Sequence, residues 1–142
     1  MRQVRHLLDV KGRTVHSVRP DETVFAALER MAEHGVGSLV VVDESGLAGV
    51  MSERDYARKV ILMRRYSADT PVADVMTAEV ITVGLDAAVD ECMQLCTRHH
   101  VRHLPVVEDG KLVGLVSIGD LVKAMLDEQA EKIEHLQNYI SG

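Results

Sequence analysis

One stretch of the sequence occurs twice and decides the fold: Gly49-Val50-Met51-Ser52-Glu53-Arg54-Asp55 and Gly114-Leu115-Val116-Ser117-Ile118-Gly119-Asp120. The two copies lie 65 residues apart, and the same offset holds without a gap when residues 14–60 are laid on residues 79–125. Of these 47 aligned positions, 13 are identical. A repeat of this length indicates two duplicated domains rather than the short units of a solenoid.

The first part of each repeat predicts a strand followed by a helix. A β-branched strand covers residues 15–18 in the first copy and 80–83 in the second. Asp21 and Asp86 follow, and we expect them to be the N-caps of the helices. Apolar residues then recur at helical spacing, at Val24, Ala27, Leu28 and Met31 and again at Val89, Cys92, Met93 and Cys96.

The second part of each repeat predicts a β-hairpin and another helix. Two apolar runs flank a turn signal in each copy, and Ser52 or Ser117 then opens the helix. Each repeat is therefore predicted to be β-α-β-β-α. The paired runs are residues 39–42 and 47–51 in the first copy, and residues 104–107 and 112–116 in the second.

These elements place the chain in the α+β class. The continuous apolar strands indicate sheets that protein covers on both faces, and half of this chain would be a marginal domain alone. We therefore expect the two repeats to pack sheet to sheet about a pseudo-two-fold axis. The predicted ranges are 1–66 for the first repeat with an N-terminal lead-in, 67–77 for a linker, 78–126 for the second repeat and 127–142 for a C-terminal helical extension.

The predicted C-terminal helix carries an apolar seam and runs to about Ile140. A helix with such a seam must lie against its own domain or against a partner chain, so self-association is one expectation. The seam follows alternating three- and four-residue steps with a polar interruption at Gln129, and its members are Val122, Leu126, Ile133, Leu136 and Ile140.

Composition excludes several classes of protein. The net charge of −6 argues against DNA as the main partner, because binding a polyanion needs many Lys and Arg residues on one face. Aromatic residues make up only 3% of the chain, which leaves little for stacking bases. No apolar run approaches the length of a membrane span, and no apolar signal-peptide core follows the basic start. We therefore expect a cytoplasmic protein.

The duplicated Ser-x-x-Asp allows two interpretations. As a capping box, the Ser accepts from a backbone N–H of the first turn and the Asp reaches back to the Ser N–H. As a binding site, Asp55 and Asp120 would each accept the two hydroxyls of a ribose, as acids do in dinucleotide folds, with Ser52 and Ser117 beside them. The two interpretations are compatible, because the cap holds the carboxylate in position.

A cluster of basic residues precedes the hairpin of the second repeat only. It is either a solvated loop at the end of a helix or a small pocket for phosphate, which Arg binds with paired hydrogen bonds. The charges are too few to follow a polynucleotide. The cluster is Arg98, His99, His100, Arg102 and His103, whereas the first repeat has Gly37 and Ser38 where the second has Arg102 and His103.

Two other readings compete with nucleotide binding. Cys92 and Cys96 with the neighbouring histidines could hold zinc, but the repeat aligns these cysteines with Ala27 and Met31, which predicts core positions. No Walker, Gly-x-Ser-x-Gly, Cys-x-x-Cys or His-Glu-x-x-His motif is present, so we expect neither a metal site nor an enzyme.

The repeated motifs resemble the tandem CBS-domain (Bateman) family in its small stand-alone bacterial form, over nearly the whole chain. The resemblance rests on Val24-Phe25-Ala26-Ala27-Leu28, Gly37-Ser38-Leu39-Val40-Val41-Val42-Asp43, the first Ser-x-x-Asp stretch through Tyr56, Asp74-Val75-Met76-Thr77, Arg102-His103-Leu104-Pro105-Val106-Val107 and the second Ser-x-x-Asp stretch through Leu121.

The resemblance implies a cleft between the repeats with two sites for adenosine ligands: AMP, ADP, ATP or NAD(H), with S-adenosylmethionine less favoured. It also implies flat dimers. Residues carried over from the family pattern are Asp55 and Asp120 with Ser52 and Ser117 for ribose, Arg102 and His103 for phosphate, and Val15, Val80 and Pro105 near adenine. Further candidate binding residues beside these positions are Gly37, Ser38, Arg54 and Leu104.

The two implied sites differ in charge. Gly37 and Ser38 cannot supply the charge of Arg102 and His103, so the sites should differ in ligand or affinity. Arg54, Lys11 and Lys59 are weak candidates for the first site. The expected function is a regulatory module that senses an adenosine ligand, as a homodimer that acts on an unknown partner. The alternative is an adaptor that binds protein through the C-terminal helix without any ligand.

Overall fold

The computed structural model describes residues 2–141, with the backbone alone for Ser141. Two compact units are present, one from Thr14 to Val80 and the other joining residues up to Arg13 with those from Ile81 onward. In chain order the elements are α1 (Val4–Lys11), β1 (Ser17–Val18), α2 (Val24–His34), β2 (Ser38–Asp43), β3 (Gly46–Ser52), α3 (Glu53–Tyr56), α4 (Val89–His99), β4 (His103–Glu108), β5 (Lys111–Ser117) and α5 (Ile118–Ser141).

The Thr14–Val80 unit is a three-stranded sheet with one helix before its hairpin and one after it. The strand order is β1-β2-β3, with β1 parallel to β2 and β2 antiparallel to β3. A π-helical turn, Ala57–Ile61, continues α3. The core holds the apolar face predicted for α2 together with the inner strand residues; its fully buried members include Val24, Ala27, Met31, Leu39, Val41 and Met51.

The predicted linker belongs to this first unit. A short 3-10 turn covers Val72–Asp74, and Val72 and Val75 are fully buried in the core of the unit. Thr77 then pairs with Val50 of β3 through two backbone hydrogen bonds of 3.0 and 2.9 Å. Residues 72–77 therefore cover the open side of the hairpin instead of only joining the repeats.

The second unit repeats the same plan with a shorter first strand. Strands β4 and β5 form an antiparallel hairpin with the register of the first copy. The strand predicted for residues 80–83 is reduced to one parallel bridge, between Val83 and Val106. Cys92 and Cys96 are buried in the core, as their alignment with the first helix predicts.

The N-caps of the two equivalent helices are not the predicted aspartates. Thr23 caps α2, and its hydroxyl accepts from the Ala26 N–H at 3.1 Å. Ala88 precedes α4 without a side-chain cap. Asp21 and Asp86 are exposed and form ion pairs with Arg19 and Arg5. The prediction was wrong because each helix begins two residues later than the repeat pattern suggested.

The N-terminal helix packs on the second repeat, although the sequence grouped it with the first. Val4 and Arg5 donate backbone hydrogen bonds to Ala87 and Leu85, both at 2.9 Å. Leu8, on the buried face of α1, lies over Gly114 of β5. The predicted ranges 1–66 and 78–126 therefore do not coincide with the compact units; Met1 and Gly142, at the outer ends of the predicted ranges, lie outside the described residues.

The last helix is as long as predicted. Its first turns pack on the second repeat through Leu121 and Ala124, both buried. Beyond them Leu126, Ile133 and Ile140 are exposed, and Arg2 forms an ion pair with Glu131. Within residues 2–141 no helix is long and apolar enough to cross a membrane. The α+β class, the repeated plan and the long last helix are thus confirmed.

Candidate functional site

Both Ser-x-x-Asp motifs form reciprocal capping boxes. In the first repeat the Ser52 N–H donates to Asp55 Oδ2 at 2.9 Å, and the Asp55 N–H donates to Ser52 Oγ at 3.2 Å. In the second repeat the equivalent distances between Ser117 and Asp120 are 2.8 and 3.1 Å. The capping interpretation is confirmed, and each cap fixes its carboxylate at the point where a buried strand turns into a helix.

Strand pairing brings the residues before each hairpin next to these caps. Ser38 lies opposite Ser52 in the first sheet, and His103 lies opposite Ser117 in the second. The carbonyl of Arg102 also accepts from the Ile118 N–H at 2.8 Å, which holds the start of α5 to the start of β4. The structure therefore brings together the predicted ribose and phosphate residues of each repeat.

A lysine from the N-terminal helix completes the second-repeat site. Lys11 Nζ donates to Asp120 Oδ2 at 2.6 Å and to the carbonyl of Leu115 at 2.7 Å. Lys11 was a weak candidate for the first site, and its contact with Asp120 contradicts that prediction. The repeat could not reveal its place, because α1 precedes the duplicated region and packs on the more distant copy. The sequence has Ala124 where the first repeat has Lys59, and this missing lysine was the available signal.

The charges at this site act on one another. The pKa of His103 is lowered, first by burial and then by the nearby cations Lys11 and Arg102, against the opposing effect of Asp120. Burial raises the pKa of Asp120, but hydrogen bonds from Lys11 and from the Ser117 N–H outweigh it, so that the pKa lies below its usual value. At neutral pH the site thus holds one carboxylate, two fixed cations and a neutral imidazole.

The first-repeat site is poorer in charge. Lys59, one turn after Asp55 on the same helix, lies 3.3 Å from Asp55 Oδ1 and donates to the carbonyl of Val75 at 2.9 Å. Ser38 is buried, and Gly37 brings no side chain. Arg54 is exposed on α3. The first-repeat site therefore has a lysine on its carboxylate, but neither an arginine nor a histidine at residues 37 and 38, where its hairpin begins.

The remaining predicted site residues lie in several environments. Leu104 is fully buried in the core of the second unit, so its backbone is the part that borders His103. Pro105 accepts a backbone hydrogen bond from Val83 at 3.1 Å. Val15 and Val80 are half-buried and belong to the Thr14–Val80 unit. The described surface also has an open depression of about 390 Å³ against α4, lined by Met93, Gln94, Thr97 and Arg98.

The cysteines and histidines of α4 do not form a cluster. Burial raises the pKa of the Cys92 thiol to about 11, so it carries no thiolate at neutral pH. His99 and His100 are exposed at the end of the helix. Among the side chains of residues 2–140, no three of His, Cys, Asp or Glu converge as metal ligands would.

Comparison with known proteins identifies the family. The model of the CBS domain matches the chain twice, over residues 8–62 and 72–127. The chain belongs to the CBS-domain family. Its two CBS domains correspond to the two repeats, and each match contains one Ser-x-x-Asp capping box. A pair of CBS domains is a regulatory module.

Relatives named for CBS domains occur in Arabidopsis thaliana and Bacillus subtilis. The chain is 45% identical over 127 residues to the mitochondrial CBS domain-containing protein CBSX3 of Arabidopsis thaliana, covering 86% of this chain and 62% of the relative's length. It is 34% identical over 123 residues to the CBS domain-containing protein YhcV of Bacillus subtilis, covering 86% of this chain and 87% of YhcV. A solved structure of a protein with CBS domains from Burkholderia ambifaria is 47% identical, with a TM-score of 0.86 over 90% of this chain and 96% of that one.

Proposed function

We propose that this CBS-domain pair senses an adenosine nucleotide, either AMP, ADP or ATP or the dinucleotide NAD(H). The observation that carries the proposal is the second-repeat site, where the capped carboxylate of Asp120 adjoins Arg102, His103 and Lys11. A carboxylate accepts hydroxyl donors, and Arg and Lys bind phosphate oxygens. A sugar diol with an attached phosphate needs this combination of groups.

The residues at the site fit such a ligand chemically. Asp120 Oδ1 has no polar partner among the described residues, so it can accept a hydroxyl. Arg102 is exposed and its guanidinium is available for phosphate. His103 can donate one hydrogen bond while it stays neutral.

We propose in addition that the two repeats differ in affinity. Ser52 and Asp55 repeat the ribose-binding groups, but Gly37 and Ser38 stand where the second repeat has its cation and imidazole. Because charged hydrogen bonds contribute most to phosphate binding, the second repeat should bind a nucleotide more tightly than the first. S-adenosylmethionine, which carries no phosphate, would gain less from Arg102.

Calorimetric titration of the protein with AMP, ATP, NAD⁺ and S-adenosylmethionine tests the proposal. We expect saturable binding of at least one phosphorylated ligand, and a loss of roughly ten- to hundred-fold in affinity for Asp120→Asn. The matched variant Asp55→Asn should affect only a weaker event. Asp86→Asn, which changes an exposed acid of the same unit, is the control. No heat with any ligand at millimolar concentration would contradict the proposal.

A second candidate function is a protein-interaction adaptor that works through α5. Five apolar side chains beyond its packed first turns, Leu126, Ile133, Leu136, Tyr139 and Ile140, are between 57% and 82% exposed. An apolar face of this kind is stabilised when another surface covers it. A second copy of the chain, packed on this face in a homodimer, would also cover it.

The two functions respond differently to ligand and to mutation. If α5 is the interaction surface, association through it should be equal with and without nucleotide. The double variant Ile133→Glu and Leu136→Glu should abolish this association and leave nucleotide binding intact. Sedimentation velocity of the wild type and of the double variant, each with and without saturating AMP, makes the comparison. Glu134→Gln, on the same turns of the helix but outside the seam, is the control.

A further inference from the structure

The contact between Lys11 and Asp120 occupies one of the two carboxylate oxygens. Asp120 Oδ2 accepts both from the Ser117 N–H at 2.8 Å and from Lys11 Nζ at 2.6 Å. A carboxylate oxygen has about two lone-pair positions, so Oδ2 is saturated. The other oxygen, Oδ1, has no polar partner within the described part of the chain.

A sugar diol that presents one hydroxyl to each oxygen must therefore displace a donor from Oδ2. The Ser117 N–H is fixed by the capping box at the start of α5 and cannot leave without breaking that cap. The Lys11 ammonium, in contrast, reaches Oδ2 through a flexible side chain that is 39% exposed. Lys11 is thus the donor that moves.

The backbone that carries Lys11 stays in place when its side chain moves. Leu8, one turn earlier on α1, is buried, and its methyl groups lie directly over Gly114. The displaced ammonium consequently remains beside the site. It would stand there near Arg102 without its carboxylate, and an unpaired, partly desolvated cation is costly. Burial and, after it, the charges of Lys11 and Arg102 lower the pKa of the adjacent His103.

We propose that Lys11 is a specificity-determining residue that makes the second repeat select phosphorylated nucleosides over nucleosides. A phosphate group next to the ribose gives the displaced ammonium a new anion, whereas an unphosphorylated nucleoside breaks the Lys11–Asp120 pair and offers nothing in return. This inference rests on the proposed function of the site and adds its ligand class. The first repeat lacks the arrangement, because Lys59 lies at Asp55 Oδ1 on its own helix and leaves Oδ2 to Ser52 alone.

The test compares the affinities of AMP and adenosine for the full-length wild type and Lys11→Met by calorimetry. In the variant we expect AMP to bind roughly ten- to hundred-fold more weakly, and adenosine to bind equally well or more tightly. The ratio of the two affinities should therefore fall at least ten-fold. Lys111→Met, which changes an exposed lysine of the same unit, should leave this ratio unchanged.

The outcomes separate the possible roles of Lys11. Equal losses for AMP and adenosine would make Lys11 only a structural clamp and would overturn the inference while leaving the proposed function standing. Failure of both ligands to bind the wild type would overturn both. Lys11→Arg keeps the charge and should retain the preference for AMP, so it provides the measurement if Lys11→Met does not fold, as judged by circular dichroism.

Discussion

At the scale of single residues, one ion pair holds the first repeat together in a way that the second repeat does not share. Glu22 accepts two hydrogen bonds from Arg30 of α2, at 2.8 and 3.1 Å, and another from the Arg19 N–H at 2.7 Å. Arg30 also donates to the carbonyl of Ser17. These hydrogen bonds, above all those from Arg30, lower the pKa of Glu22 to about 2. The pair therefore ties β1 to α2.

Replacing Glu22 by Gln should destabilise the protein by about 1–2 kcal/mol at pH 7, since charged hydrogen bonds are lost from a side chain that is partly screened by solvent. Because the folded-state pKa of Glu22 is depressed, its contribution is complete above pH 4.5 and disappears as the pH falls toward 2. Urea unfolding at both ends of this range measures the effect. Glu29→Gln, an exposed change on the same helix, should do almost nothing.

His103 should make the second repeat sensitive to mild acid. Its folded-state pKa lies below the ordinary 6.5 because burial, Lys11 and Arg102 outweigh Asp120. The unfolded chain therefore takes up a proton first, and stability falls as the pH drops below 6.5, by at most about 1.4 kcal/mol per pH unit.

The variant His103→Asn removes this titration. Its free energy of unfolding relative to that of the wild type should rise as the pH falls from 7.5 to 5.5. Urea unfolding at both pH values measures this difference. Parallel changes in the two proteins would mean that His103 contributes nothing to the acid response. His99→Asn, an exposed histidine at the end of α4, controls for the titration of histidines in general.

At the scale of elements, a duplicated glycine lets another segment cross each hairpin. A Cβ on Gly49 would lie 2.7 Å from the carbonyl oxygen of Thr77, which the ladder to Val50 holds in place. A Cβ on Gly114 would lie 2.7 Å from a methyl group of Leu8. The same glycine thus admits a backbone segment in the first repeat and a side chain of α1 in the second.

The two glycines should differ in their tolerance of alanine. Gly49→Ala pushes against hydrogen-bonded backbone and should cost about 2–3 kcal/mol, whereas Leu8 can rotate away from Gly114→Ala at a cost of about 1 kcal/mol. Thermal unfolding of the two variants gives the comparison. Equal costs would show that the segment through Thr77 yields as easily as the leucine side chain.

At the scale of the whole molecule, helix α1 completes the core of the second repeat. Helix α1 contributes Val4, Leu7 and Leu8 to the core formed by residues after Ile81, and these side chains are no more than 7% exposed. The compact unit is therefore discontinuous in sequence. Its core combines side chains from before the first repeat with side chains from after it.

Leu8→Ala should reveal this arrangement in hydrogen exchange. Loss of a buried leucine costs about 2–5 kcal/mol, and we expect amides of residues 81–126 to lose more protection than those of residues 14–80. Leu62→Ala, which changes an exposed leucine, is the control. A larger loss of protection in residues 14–80 would contradict the assignment of α1 to the second unit.

The sequence by itself determined the repeat, the hairpins, the apolar faces of α2 and α4, the length of α5 and the two capping boxes. Each of these follows from residue spacing over a few turns or strand residues, which local geometry sets. The buried positions of Cys92 and Cys96 followed from the same register. The charge difference between the repeats could also be read directly, because Gly37 and Ser38 align with Arg102 and His103, and His103 lies opposite Ser117.

Only the tertiary structure decided where Lys11 lies and which repeat α1 completes. Lys11 meets Asp120 across 109 positions of the chain, and no periodic pattern encodes a contact of that separation. The N-caps are Thr23 and Ala88, two residues beyond the predicted aspartates. The helices begin there because the carbonyls of Thr70 and Arg2 accept hydrogen bonds from the Val24 and Val89 N–H groups. The physical reason is the same in both cases: the competing partners come from distant segments, and only the folded chain brings them within hydrogen-bond distance.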